Sequence, residues 1–386
     1  MSTDVAETPR RSRTAGQARA SGQAEPSRIS PRDDLAALAG YHSPQLEVAV
    51  RLNTNESPFA PPPAFIAAWT RAIAAHDYHR YPSRSAAELR GALGARLDQP
   101  AARLFVANGS NEVLQTILLT YGGHGRQCLL FEPTYALHAH IARLTATDVL
   151  EGERRDDFTI DADDAERLVE RHRPAITFAC SPNNPTGTVE SRATVERLLR
   201  AARATGGLLV VDEAYADFAD WTALDLIGED QPLAVVRTYS KVWSLAGLRL
   251  GYCVAPDWVV AELEKVVLPY HLSIEKQLAG VLALEHEDEM RERVARLVAE
   301  RGRVAAALRR VPGVTPFPSG ANFVLFRIRG DGRAAWKAMV ERGVLVRDFS
   351  AWPRVEDCLR VTIGTTEEND AFLAALAEAL EEVGVT

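Results

Sequence analysis

From about residue 75 the chain alternates helical patterns with short apolar runs. Apolar positions at helical spacing follow SRSAAELRGAL and NGSNE, the latter running on through VLQTILLTY. Between such stretches come CLLFE, AITFAC, LLVVDE, LAVVRTY and LGYCVA, runs of strand length rich in Val, Leu, Ile and aromatic residues. Strands separated by helices predict a mainly parallel sheet covered by helices on both faces, with the direction of individual strands left open. Ser85 and Glu88 have the spacing of a capping box at the start of one helix. Beyond LPYHLS, residues 275–310 read as one long amphipathic stretch. SGANFVLFRIR, GVLVRDF and CLRVTIG with a closing helix then read as a second, smaller α+β unit. VAVRLNTNESPF, near the start, is expected to cross back and join it.

Four segments follow from this: an arm over 1–33, an N-terminal segment over 34–75 joining the small domain, a large domain over 76–272, and a small C-terminal domain over 273–386. The arm is Ala, Ser, Arg and Pro with few large apolar residues, too little to offset the entropy of ordering. Arg10 and Arg11 resemble a twin-arginine signal, but no apolar stretch follows, so export is not expected.

Composition narrows the function. The 386 residues carry a formal net charge of −8, which argues against nucleic acid or an anionic membrane as main partner. No apolar run is long enough to span a bilayer. The four cysteines form no CxxC pair and read as buried thiols in a reducing cytosol rather than as disulfide or metal ligands. Basic residues are nearly all arginine, and Lys241, Lys265, Lys276 and Lys337 are the only lysines. Chemistry that needs an amine has few places to go.

Lys241 stands in TYSKVWSLAGLR, after Ser240 and eight residues before Arg249. An amine there condenses with an aldehyde, while hydroxyls and a guanidinium bind a phosphate. Asp212 ends the apolar run of VVDEAYADF, at the strand edge where open α/β sheets bind ligands, and Tyr215 follows it. A carboxylate at that place holds a pyridine nitrogen protonated or caps the next helix. SPNNPTG makes a rigid turn that presents Asn184 to the same edge. NGSNE opens a helix whose N-terminal amides suit a phosphate, with Ser110 and Asn111 in place. Tyr135 in FEPTYALHA suits a planar ring or a core. Arg347 and Arg360, in strands flanked by apolar residues, need an anionic partner, either a ligand or an internal carboxylate.

Taken together, RLNTNESPF, HRYP, ANGSNE, SPNNPTG, VVDEAY, TYSK with AGLRLGY, LPYHLS, SGANFVLF and LRVTIGTTEEND resemble the fold-type I aminotransferases that depend on pyridoxal phosphate (PLP), and within them the histidinol-phosphate aminotransferases. The resemblance covers residues 41 to about 380. It implies an α/β fold with a seven-stranded, mainly parallel sheet between helices and a smaller α+β domain. It also implies Lys241 as the Schiff-base lysine, Asp212 on the ring nitrogen, Asn184 and Tyr215 on the ring hydroxyl oxygen, and Tyr135 stacked on the ring. Ser110, Asn111, Ser240 and Arg249 would hold the cofactor phosphate, with Tyr81 of HRYP reaching it from a neighbouring subunit in a homodimer with shared sites. Tyr41, Arg347 and Arg360 would meet the substrate anion, and Asn55 and Tyr270 would border the substrate. The implied reaction is transamination of histidinol phosphate, the amino donor, with 2-oxoglutarate as keto-acid acceptor, by ping-pong kinetics in the cytoplasm. Val-Trp-Ser after Lys241 departs from the family pattern, so Trp243 is expected to reshape the pocket. Arg360 suits a carboxylate as well as a phosphate, which keeps open a PLP aminotransferase, lyase or oxidase acting on a carboxylated, possibly aromatic, amino acid.

Overall fold

The structure is a computed structural model that describes residues 29, 30, 32–36, 38, 40 and 45–385. Most of the arm and Tyr41 lie outside the described residues. Residues up to Leu38 form one unit, whose described part includes the single-turn helix α1 (Asp33–Ala36), with Arg32 paired to Asp34 at 2.8 Å. The second unit is Ala39–Thr386.

Its larger sheet grows from the apolar runs. The strands are β2 (Leu104–Ala107), β3 (Gln127–Glu132), β4 (Asp148–Glu153), β5 (Ile176–Cys180), β6 (Leu208–Asp212), β7 (Leu233–Thr238) and β8 (Gly251–Val254). They lie in the order β2-β8-β7-β6-β5-β3-β4. Only β8 is reversed, running antiparallel to both neighbours. Every residue of β5 and β6 is buried, as expected of central parallel strands covered on both faces. Alternate residues serve the two faces. Phe178 and Val210 pack with α4 (Ser110–Tyr121), α5 (Leu137–Leu144) and α8 (Asp257–Val266). Ala179 and Val211 pack with α6 (Ala162–His172) and α7 (Arg192–Thr205).

The chain runs from β3 outward to β4, then returns to place β5 on the other side of β3. That reversal is the topological switch point, where the carboxyl ends of neighbouring strands open a crevice. The loops after β3, β5 and β6 all issue beside it, and Cys180 and Asp212 are register partners at its edge.

A smaller sheet holds β1 (Val50–Leu52), β9 (Val314–Pro316), β10 (Phe323–Ile328), β11 (Val344–Asp348) and β12 (Cys358–Thr362), in the order β1-β11-β12-β10-β9. The early segment does cross back: β1 pairs in parallel with β11. In the β11–β12 ladder Arg347 lies opposite Arg360. The helices of this part are α10 (Glu287–Leu308), α11 (Gly332–Glu341) and α12 (Thr366–Glu382), which pack on it through residues such as Val304, Met339 and Phe372. Two further helices are α2 (Pro63–Ala74) and α3 (Ala87–Leu97), against which α9 (Ile274–Leu284) packs.

Two local expectations fail. Ser85 does not cap α3. Ala86 precedes that helix in the left-handed region, at φ 48°, with no side-chain cap, and the Ser83 hydroxyl accepts from Ala87 N at 3.3 Å instead. The capping box occurs at α12, between Thr365 and Glu368. The stretch 275–310 is two helices, α9 and α10, because the chain breaks around His286, where Glu287 opens α10 and pairs with Arg96 and Arg291. Among the described residues, no helix is long and apolar enough to cross a membrane.

Candidate active site

A cavity of about 360 Å³ opens at the switch point, lined by both sheets' loops. Lys241, Asp212, Tyr215, Ser110, Asn111, Tyr135, Asn184, Ser240, Arg249, Asn55, Arg347 and Arg360 all line it. Tyr81 and Tyr270 do not. Their rings stack on each other at 4.5 Å outside the cavity, 79% and 43% exposed. Trp243 also stands apart, buried beside Tyr239, because the chain after Lys241 turns that indole into the core; it does not reshape this cavity.

Lys241 sits half-buried just past β7, its Nζ donating to the Thr54 carbonyl at 3.1 Å and lying 5.5 Å from the Tyr215 ring centre. Burial, and then the positive charges of Arg360 and Arg249, lower its amine from 10.5 to about 7, while Glu56 partly offsets them. The amine is therefore a usable nucleophile and base near neutral pH.

Asp212 is buried at the end of β6. Its Oδ1 accepts from Ala214 N at 3.2 Å, and His138 Nε2 lies 2.9 Å from Oδ2. A carboxylate only accepts, so His138 carries its proton on Nε2. The His138 ring stacks on Phe178 at 4.8 Å, and its Nδ1 has no partner among the described residues. Sequence reading passed over His138. The available signal was its spacing, one helical turn beyond Tyr135 on a helix that faces the sheet.

Tyr215 is buried, and its phenol is pushed up to about 12, by burial first; Arg360 and the Asn55 hydrogen bond only partly oppose this. Asn55 Nδ2 donates to the Tyr215 hydroxyl at 2.9 Å, which leaves the phenolic hydrogen for another acceptor. Asn55 adopts φ 57° and is tied to Thr362 through its backbone N–H at 2.9 Å. Arg360 donates to Asn184 Oδ1 and, at 2.9 Å, to the Asn53 carbonyl. Phe349 lies under both arginines, 5.9 Å from Arg347 and 5.3 Å from Arg360.

At the other end Arg249 donates to Ser240 Oγ at 3.1 Å, and Ser240 accepts from Thr238 Oγ1 at 2.9 Å. Helix α4 begins there at Ser110, its first amides free of helical partners. Tyr135 donates to Asn111 Oδ1 at 3.2 Å. The cradle is kept open by two glycines. A Cβ on Gly109 would come within 2.6 Å of Arg249 Nη2, and one on Gly251 within 2.4 Å of Ser110 N. Hydroxyls, a guanidinium and a helix N-terminus around an open cradle fit a phosphate. A buried carboxylate, an amine of lowered pKa and a flanking tyrosine fit a pyridine aldehyde. The donor set suits pyridoxal phosphate.

Among the described residues no cluster of His, Cys, Asp or Glu is arranged to hold a metal ion. All four cysteines are free and buried.

Residues 47–376 match the family model described as aminotransferase class I and II. The chain is 43% identical to the histidinol-phosphate aminotransferase of Corynebacterium efficiens over 357 residues, covering 90% of this chain and 94% of that one. It is 44% identical to the enzyme of that name from Frankia casuarinae over 363 residues, covering 90% of each. Among solved structures it resembles histidinol-phosphate aminotransferase from Sinorhizobium meliloti in complex with pyridoxal-5'-phosphate, with a TM-score of 0.80 and 25% identity, covering 87% of this chain and 92% of that one.

Proposed function

The chain belongs to the class I and II aminotransferases, and on that premise we propose that it moves the amino group of histidinol phosphate to 2-oxoglutarate, a step of histidine biosynthesis. It is a PLP-dependent aminotransferase. The observation that carries the reading is the placement of two buried arginines, Arg347 and Arg360, in the same cavity as Lys241 and Asp212.

When bound, pyridoxal phosphate supplies an electrophilic carbon and an electron-withdrawing ring. Ser110, Asn111, Ser240 and Arg249 would hold its phosphate, and Tyr135 would meet its ring. Asp212, oriented by His138, keeps the ring nitrogen protonated. Asn184 and Tyr215 serve the ring oxygen, the tyrosine as donor because its phenol keeps its proton. Lys241 would hold the group through its amine, and the same amine would take the proton from the substrate Cα. Its pKa near 7 lets one amine accept and give that proton at neutral pH. Arg347 and Arg360 hold the donor's phosphate and, in the second half-reaction, the acceptor's carboxylates. One cavity serves both substrates in turn, hence ping-pong kinetics.

The active unit is a homodimer with shared sites, in which exposed Tyr81 reaches the cofactor phosphate of the neighbour and Tyr270 borders the neighbour's substrate. The working division is an N-terminal segment over 34–75 that joins a small domain over 273–386, and a PLP-binding domain over 76–272. A cytoplasmic home fits the free buried thiols.

The test is the visible spectrum of the holoenzyme before and after histidinol phosphate, with no keto acid present. Loss of the lysine-bound cofactor's visible band, reversed by 2-oxoglutarate, is expected. A band indifferent to histidinol phosphate but lost on adding a carboxylated amino acid would overturn the substrate.

A further inference from the structure

Four cations line the cavity, Lys241, Arg249, Arg347 and Arg360, and two carboxylates, Asp212 and Glu56. Asp212 is buried and engaged by His138 and Ala214 N. Glu56 is a different case. It is exposed, its Oε2 accepts from the Thr54 hydroxyl at 2.8 Å, and it forms no ion pair among the described residues.

Its backbone is nevertheless anchored by the two residues before it. Asn55 turns into the core at φ 57° and bonds Tyr215 and Thr362. The Thr54 carbonyl accepts from Lys241 Nζ. Glu56 thus stands on a fixed segment next to the reacting amine, with most of its accepting capacity unspent.

The anions that enter this cavity give Glu56 nothing to bind. The cofactor phosphate, the donor's phosphate and the acceptor's carboxylates all go to arginines and hydroxyls, and a carboxylate repels each of them. A carboxylate binds an N–H or a cation, and beyond its amine the donor carries one such group, the imidazole. Resting on the reaction proposed above, we propose that Glu56 recognises the donor's imidazole by accepting a hydrogen bond from a ring nitrogen. It thereby selects a nitrogen heterocycle over a carbocyclic side chain.

The experiment compares two donors on the holoenzyme: histidinol phosphate, and the phosphate ester of phenylalaninol, which keeps the amine and phosphate but has no ring N–H. Each is read as kcat/KM, or as a competitive Ki where turnover is absent, for wild type, Glu56→Gln and Glu56→Ala. In Glu56→Gln the value for histidinol phosphate falls by about tenfold to a hundredfold, mainly through KM, as expected for losing a hydrogen bond to a charged acceptor. The value for the phenyl donor holds or rises, so the preference collapses. Glu56 also raises the Lys241 amine's affinity for its proton; both donors meet the same lysine, and that effect cancels in the ratio. The half-reaction with glutamate checks the fold, because a misfolded variant loses it along with both donors. An unchanged ratio in Glu56→Gln, with an active wild type, overturns the role of Glu56 alone. A wild-type holoenzyme inert to histidinol phosphate overturns the reaction beneath it, a separate result.

Discussion

Lys241 shows how place resets a side chain. Removing an ammonium from water and setting it near two guanidiniums both favour the neutral amine, so it titrates at about 7 rather than 10.5. Capture of pyridoxal phosphate by the apoenzyme needs the free amine. Its rate should rise through pH 7 and level off above about pH 8, read by stopped-flow growth of the visible band; a rise continuing toward pH 10 would contradict the assignment. The same shift acts on stability. The unfolded lysine keeps its proton up to about 10.5, so the apoprotein carries a full penalty below pH 7, and the penalty fades as pH climbs from 7 to 10.5. Lys241→Met should flatten that part of the apoprotein's stability curve and abolish turnover. Tyr215 goes the other way, its phenol protonated up to about 12 and its hydrogen left available by Asn55. Tyr215→Phe should lower kcat by about tenfold to a hundredfold, the worth of a hydrogen bond to a charged oxygen, and shift the visible band. Lys241 and Asp212 were legible in the sequence because each sits in a short motif at a strand's end. His138 was not: its importance comes from touching Asp212, 74 positions further along the chain, a relation that no local pattern encodes.

Strands and helices carry these residues to one place, and some of that transport was readable. Fully apolar runs such as ITFAC and LLVVD announce central parallel strands, because both faces must be covered. Helix ends were less readable. Ser85 has the right chemistry for a cap, but buried Ala86 takes up a left-handed turn that sends the chain elsewhere, and the break near His286 has no Pro or Gly to mark it. The start of α4 depends on a residue with no side chain. Gly109 has φ 84°, and a methyl group there would press on the Arg249 guanidinium at 2.6 Å. Gly109→Ala should weaken pyridoxal phosphate affinity at least about tenfold, measured by dialysis and fluorescence, because strained backbone costs of order 1–3 kcal/mol before the displaced arginine is counted. Between β6 and β7, Arg237 grips buried Glu213 through Nε at 3.0 Å and Nη2 at 2.7 Å. Arg237→Ala leaves that carboxylate buried without its cation, though still bonded by Thr222 and Ala223 N, and should cost about 3 kcal/mol in urea unfolding.

At the scale of the second unit, its two sheets, one large and mainly parallel and one smaller, followed from the order of strand and helix patterns. Which residues meet across the crevice did not, because register decides it: Arg347 and Arg360 become neighbours only through the β11–β12 ladder. The proposed sharing of sites between subunits has its own test. Lys241→Ala and Tyr81→Ala each disable a different part of a site. In a hybrid dimer both defects fall in one site and the other is intact. Mixing the two inactive variants by reversible unfolding should restore about a quarter of wild-type activity, since hybrids form about half of a random mixture and each has one working site. No recovery would mean each subunit works alone.

Several polar links join the loops of the two sheets, and three of them are Asn55 to Tyr215, Arg360 to Asn184, and Lys241 to the Thr54 carbonyl. All three pass through residues that serve cofactor or substrate. Part of the hold between the loops is thus made by the groups proposed to react, and a ligand that takes over those groups takes over those links. A substitution at any of these positions alters how firmly the halves hold together as well as how fast they react.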